Sequence, residues 1–147
     1  MRHGDAVVAA ENPLRPLSAA GRARVERVAQ AAAQRGAQPA AIYHSGILRA
    51  AQTSEIVARY LPSAKKVAML SGLLPDDDPA VIKSELEMAE EPIMLVGHLP
   101  FMGRLAGFLI YGDPERQAAE FIPGDMLCCT RSPAGWKISW QIAAELA

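Results

Sequence analysis

The chain has 147 residues, half of them hydrophobic, enough for a single domain to bury a full core without disulfides or metals. Its 15 Lys and Arg against 16 Asp and Glu leave a net charge of −1, which argues against an electrostatic grip on nucleic acid or an anionic membrane. The apolar runs are too short to span a bilayer and the first residues lack an apolar signal core, so the expected location is the cytoplasm.

In chain order, Ser18 is an N-cap residue type, Val25, Val28, Ala29 and Ala32 recur at i, i+3, i+4, i+7, and Gly36 stops the pattern. This predicts a helix over 18–35. Ala40 to Tyr43 is a short apolar run that predicts a strand. Thr53, Ile56, Val57 and Tyr60 repeat the helical spacing over 47–60, and Pro62 ends it. Val67 to Leu70 reads as another short strand, and Ser71 to Asp78 as a polar turn. Asp78-Pro79 is a cap followed by a first-turn proline, opening a helix to about Ala89.

Ile93 to Val96 is continuously apolar and ends at Gly97, the pattern of a strand buried on both faces. Pro100 starts a helix with Met102, Leu105, Ala106 and Leu109 on one face. Met126 to Thr130 reads as a strand, and so does the alternation of Trp136, Ile138 and Trp140 with Lys137 and Ser139. No repeat, low-complexity tract or linker interrupts the chain. Alternating helices and strands predict one three-layer α/β domain over 1–147, with a largely parallel central sheet and helices on both faces. The Met and Trp positions read as core, and Cys128 and Cys129 as reduced core residues with no metal-ligand spacing.

Three blocks carry chemistry: Arg2-His3-Gly4, then Ser45 to Thr53 with Arg49 inside it, and Gly97-His98. Each follows a predicted strand or begins where one should have ended, and strand ends are where open α/β sheets build their sites. Two histidines and two arginines gathered there make a phosphate pocket containing a nitrogen nucleophile. His3 is the candidate nucleophile. Arg2 and Arg49 bring planar forks suited to phosphate oxygens, and His98 a further donor. Arg2 and His3 are neighbours that a strand would point to opposite faces, so the chain must leave the pleat at Gly4 to bring both to one phosphate. No two of the three histidines stand at i, i+3 or i+4, and adjacent arginines would repel a cation, so no metal and no cofactor is expected. Ser45 reads either as a substrate contact or as a helix cap. His44 has no assigned role, and Gln52 and Thr53 are expected to bond within the fold.

Arg2-His3-Gly4, Ser45-x-x-x-Arg49-Ala50-x-Gln52-Thr53 and Gly97-His98-Leu99-Pro100 together resemble the histidine phosphatase superfamily over nearly the whole chain. Among its branches the chain is most similar to the small SixA-type phosphohistidine phosphatases. The resemblance implies a phosphoglycerate-mutase-like α/β sandwich. It implies that His3 becomes phosphorylated while Arg2, Arg49 and His98 hold the phosphoryl group, with Gly4 and Ser45 beside it. It also implies a phosphorylated histidine-containing phosphotransfer protein as partner and inorganic phosphate as product.

The chain departs from the family pattern in three places. The apolar strand that leads into Arg-His-Gly is missing, which would leave a slot in the core, as if the start were placed at an internal methionine. Gly46 stands where proline is frequent. No glutamate stands where mutase-like branches keep a general acid, and the candidate proton donors are Asp76, Asp77 and Asp78. An imidazole leaves phosphorus far more readily than an alkoxide, so a weak acid favours a P–N substrate. A broad phosphomonoesterase of the same superfamily and a non-catalytic phosphate-binding module are the rival expectations.

Overall fold

The computed structural model describes residues 1–147. Helix α1 (Ala19–Gln34) opens at Ser18, whose side chain accepts the Gly21 N–H at 2.9 Å. Strand β1 (Ala41–His44) leads through a tight turn into helix α2 (Leu48–Tyr60), and strand β2 (Lys66–Met69) follows. Helix α3 (Pro79–Met88) is capped by Asp78, strand β3 (Ile93–Val96) comes next, and helix α4 (Phe101–Tyr111) follows it. Strands β4 (Met126–Ser132) and β5 (Gly135–Ile142) end the chain as an antiparallel hairpin.

The first three strands form a parallel sheet in the order β2-β1-β3. Alternate residues take its two faces. Ile42 and Val96 point into a core with Val25 and Val28 of α1 and Ile56 and Val57 of α2. Tyr43 and Leu95 point the other way, against Ile82 of α3 and Phe101, Met102 and Leu105 of α4. These are the two helical layers that the alternating pattern predicted. β2 is an exposed edge that begins with a lysine, a residue type that discourages further pairing.

Several expectations need correction. Met69 and Met88 are exposed, and Trp136 and Trp140 are only half-buried, as are both cysteines. β3 is buried only at Leu95 and Val96; Ile93 and Met94 border a cavity between β3 and β4. Gly4 does not adopt a left-handed turn. Its need is space, since a Cβ there would stand 2.6 Å from Val25 Cγ2. Gly46 does sit at φ +90°, a value closed to proline, so its turn differs in kind from one built on that residue.

The first residues lie between the two sheets. Arg2 pairs in parallel with Gly97 just past β3, and its N–H donates to Asp125 O at 3.0 Å just before β4. The carboxyl ends of this stub, of β1 and of β3 therefore meet at one edge. His3, Ser45 and His98 stand there.

Candidate active site

His3 is buried, and its Nδ1 lies 2.7 Å from Gly4 O. A carbonyl only accepts, so Nδ1 carries the proton and Nε2 keeps a free lone pair. Gly4 is held in turn, because its N–H donates to Thr53 Oγ1 at 3.0 Å, and that hydroxyl donates to Arg49 O at 2.8 Å. The Thr53 hydroxyl of α2 thus ties the backbone behind His3 to Arg49 in front of it. Arg49 Nε reaches toward His3 Nε2 over 3.4 Å.

His98 is also buried, with its ring centroid 5.0 Å from that of His3. Its Nε2 lies 2.6 Å from Ser45 Oγ, which already accepts the Ile47 N–H at 3.2 Å. The serine proton is then free to go to Nε2, which leaves the imidazole proton on Nδ1. That Nδ1 is buried without a partner, and so is Nε of Arg2. Two buried donors with nothing to donate to are what an anion site presents before its anion arrives. The other end of Arg2 is anchored by Nη1 donating to Phe121 O at 2.8 Å.

Burial pulls the His3 pKa down to about 4, and the nearby guanidinium charges of Arg49, Arg2 and Arg15 push the same way against the Gly4 carbonyl. His98 is drawn to about 4 by burial, then by His3 and the two site arginines. Both rings are therefore neutral at pH 7, the state a nitrogen nucleophile needs. Burial also lowers the Arg49 pKa, and repulsion from Arg15 and Arg2 adds to it. Burial lowers Arg2 as well, and the Asp125 carboxylate opposes that.

The model of the histidine phosphatase superfamily (branch 1) matches residues 1–73. An uncharacterized protein from Picosynechococcus sp. (strain ATCC 27264 / PCC 7002 / PR-6) is 34% identical over 119 residues, covering 76% of this chain and 72% of the relative. The chain belongs to the histidine phosphatase superfamily. Its structure matches that of the protein histidine phosphatase SixA complexed with tungstate, with a TM-score of 0.85 and 25% identity over 99% of this chain and 96% of that one. A protein from Agrobacterium tumefaciens described as a phosphohistidine phosphatase SixA matches with a TM-score of 0.79 over 97% of this chain and 94% of that one; at 23% identity it speaks to fold alone.

In this histidine phosphatase, Arg2, His3, Ser45, Arg49 and His98 lie together where the first residues, β1 and β3 end. Gly4 stands behind His3, with both backbone polar groups engaged. Ser45 does not cap α2, whose N-cap is Ile47; its hydroxyl holds His98 instead. Gln52 and Thr53 do bond within the fold, Gln52 accepting the Leu17 N–H at 2.8 Å. His44 Nδ1 accepts the Gly46 N–H at 3.0 Å.

Asp76, Asp77 and Asp78 are not part of this convergence. Asp77 accepts the Leu74 N–H and Asp78 caps α3, while Asp76 is exposed and makes no hydrogen bond.

Two residues escaped the sequence reading. Arg15 bears on both His3 and Arg49 and sits at φ +48°, a left-handed backbone rare for arginine. Its one sequence clue is a basic side chain on the loop leaving His3. Asp125 is buried, with its carboxylate accepting the N–H groups of Ile122 and Ala144. It fixes the segment that anchors Arg2, and nothing in its sequence context marks it.

Proposed function

We propose that the chain is a metal-independent phosphohistidine phosphatase acting through a phospho-His3 intermediate. The observation that carries this reading is the His3 tautomer, with Nδ1–H given to Gly4 O and Nε2 left as a lone pair beside Arg49. In the first step Nε2 attacks phosphorus and the P–N bond to the substrate imidazole breaks. The leaving imidazole takes its electron pair and a proton from solvent. In the second step water attacks phospho-His3, releasing inorganic phosphate and restoring the neutral ring. Arg2 Nε, Arg49 and His98 Nδ1–H stabilise the equatorial oxygens in both steps. Three fixed groups of this kind supply charge neutralisation without a metal ion.

Exposed apolar residues that adjoin the site residues in sequence support a protein substrate. Leu48 beside Arg49, Leu99 beside His98, Ile122 beside the anchor of Arg2, and Val8 and Leu14 on the loop after His3 are all exposed. Exposed apolar residues next in sequence to the site residues suit a histidine displayed on a protein surface, as on a phosphotransfer domain. The turn aspartates support the same choice, because Asp77 and Asp78 are already engaged by backbone N–H groups. An alkyl phosphate would need one of them, or Asp76, to protonate its leaving oxygen.

The test compares initial phosphate release from a phosphohistidine-bearing phosphotransfer domain and from an alkyl phosphomonoester. A large preference for the P–N substrate, lost in His3→Ala, is the expected result. A preference for the ester that falls in Asp76→Asn would assign the chain as a general phosphomonoesterase. Stoichiometric binding of phosphoprotein without phosphate release would assign a binding module.

A further inference from the structure

His44 ends β1 directly before Ser45 and takes no part in the two phosphoryl transfers. Its Nδ1 accepts the Gly46 N–H at 3.0 Å, and Ser45 Oγ accepts the Ile47 N–H at 3.2 Å. Two consecutive side chains thus each take the backbone N–H two residues on, the way Asn and Ser side chains build turns. Gly46 sits inside this turn at φ +90°, a backbone open to glycine and closed to proline, so position 46 keeps an N–H for His44 to hold. A Cβ at Gly46 would also stand 2.7 Å from Met69 Sδ. No side chain on residue 46 can stiffen the turn, and the His44 bond supplies the constraint instead.

The turn is linked to the site at both ends. Ser45 Oγ lies 2.6 Å from His98 Nε2. Ile47 is the N-cap of α2, and its carbonyl accepts the N–H groups of Ala50 and Ala51, each at 3.0 Å. Arg49 stands in that first turn, with its Nε 3.4 Å from His3 Nε2.

We propose that His44 is a positioning residue: its neutral imidazole holds the turn that keeps Ser45 on His98, and protonation of His44 releases that turn. Its effect on rate rests on the phosphatase reading; its effect on His98 rests on the turn geometry alone. A neutral ring that accepts at Nδ1 carries its proton on Nε2. An imidazolium has an N–H on both nitrogens, so Nδ1 would meet the Gly46 N–H donor to donor and the bond is lost. The proton comes from solvent, which the half-buried His44 reaches. With the Gly46 peptide released, the Ile47 N–H loses its fixed direction and Ser45 Oγ is free to leave His98 Nε2. The His98 proton is then no longer confined to Nδ1, the nitrogen that serves the phosphoryl oxygens.

Burial lowers the His44 pKa from its ordinary 6.5, against the Glu55 carboxylate on α2. The ladder partners of His44, Met69 on β2 and Val96 on β3, are uncharged. Lys66, the cation on β2, lies over Tyr43. The turn is therefore held at neutral pH and released in acid.

The experiment compares wild type with His44→Asn and His44→Ala. Asn at this position can accept the Gly46 N–H through Oδ1 but does not titrate. Initial phosphate release from a phosphohistidine-bearing phosphotransfer domain is followed from pH 7.5 to 5, less the enzyme-free rate. At pH 7.5 His44→Ala is expected to lose about fivefold in kcat with KM unchanged, as for one hydrogen bond, and His44→Asn to regain it. On acidification wild type should lose rate at a higher pH than His44→Asn, whose acid limb is left to His3 and His98. Nitrogen shifts of His98 are read on the same three proteins without substrate. Wild type is expected to keep one His98 tautomer at neutral pH and mix two in acid, His44→Ala to mix them throughout, and His44→Asn to keep one. Coincident pH profiles for wild type and His44→Asn would overturn the inference. So would a single His98 tautomer in His44→Ala, or a His44→Asn enzyme no faster than His44→Ala. If wild type itself releases no phosphate, the phosphatase reading fails and the His98 shifts alone decide the role of His44.

Discussion

The rings of His3 and His98 face each other 5.0 Å apart, tilted by 47°, and each turns one nitrogen away to a fixed partner. His3 gives its Nδ1 proton to Gly4 O, and His98 receives the Ser45 hydroxyl at Nε2. What remains between them is a lone pair on one ring and an N–H on the other. A lone pair and an N–H donor are thus set side by side with no carboxylate in the pair.

This pairing has a pH signature. Both rings titrate at about 4 in the folded protein against 6.5 when free. Between those values the unfolded chain binds more protons than the folded one, so stability rises with pH across the window. Conversely, acidification from pH 6.5 toward 4 destabilises the fold, by up to about 1.4 kcal/mol per histidine per pH unit. Urea unfolding at pH 7, 6 and 5 should show this loss. His98→Asn should flatten the slope, and an unchanged slope would contradict the assignment of the titration to these rings.

The nucleophile assignment predicts a covalent intermediate. Rapid quenching of wild type with labelled phosphohistidine substrate should trap an acid-labile, base-stable phosphoenzyme. His3→Ala should trap none and should lose at least about a thousandfold in kcat. A label that survives in His3→Ala would move the nucleophile elsewhere.

Much of this site was legible because its chemistry is carried by residue types that are scarce in the chain. Two of three histidines and two arginines adjoin strand ends, and strand ends converge in any open α/β sheet. The parallel sheet and both helical layers followed from periodicity for the same local reason. The division of labour was not legible. Ser45 sits where a helix cap would, yet its hydroxyl serves His98, because the N-cap of α2 falls two residues later, at Ile47. Gly4 looked like a turn and proved to be a contact with Val25, which only tertiary packing defines. Arg15 reaches the site through a loop whose path no periodicity encodes. The tryptophans read as core but are only half-buried, because apolar alternation marks a face and cannot say what covers it.

Ser45 should act as a positioning residue. Ser45→Ala removes the partner of His98 Nε2 and frees the imidazole to change tautomer, so the Nδ1 donor is lost part of the time. A drop of about fivefold in kcat is expected, with KM little changed, since a hydrogen bond of this kind contributes roughly 1 kcal/mol. Nitrogen shifts of His98 in nuclear magnetic resonance should report mixed tautomers in the variant. A purely structural role would lower stability and leave the tautomer as it is.

Arg49 and Arg15 should separate by the size of their effect. Arg49→Ala loses a charge-assisted contact of about 1.5–3 kcal/mol and should weaken inorganic phosphate binding by roughly ten- to a hundredfold. Arg15 acts from further out, so Arg15→Ala should cost no more than about fivefold. Salt should erase the Arg15 effect before the Arg49 effect, because screening acts first on the more solvated charge. Calorimetric titration of phosphate at two ionic strengths distinguishes them, and equal losses would place Arg15 in direct contact with the anion.

Gly21 supports His3 from behind. A Cβ at this position would stand 2.1 Å from Asp5 O, and that oxygen also accepts the Ser18 N–H at the start of α1. Backbone cannot swing aside as a side chain can, so Gly21→Ala must push α1 away from the segment carrying Gly4 and Asp5. A loss of roughly 2–3 kcal/mol is expected, at the upper end for overpacking. Displacing Gly4 also moves its carbonyl from His3 Nδ1, so kcat should fall together with stability. Gly36→Ala is the matched control. It has open space around it and φ +78°, so it should cost only about 1 kcal/mol and leave kcat unchanged. Urea midpoints and phosphate release on the two variants test this pairing, and a Gly21→Ala enzyme with wild-type kcat would show that the α1 contact does not set the position of His3.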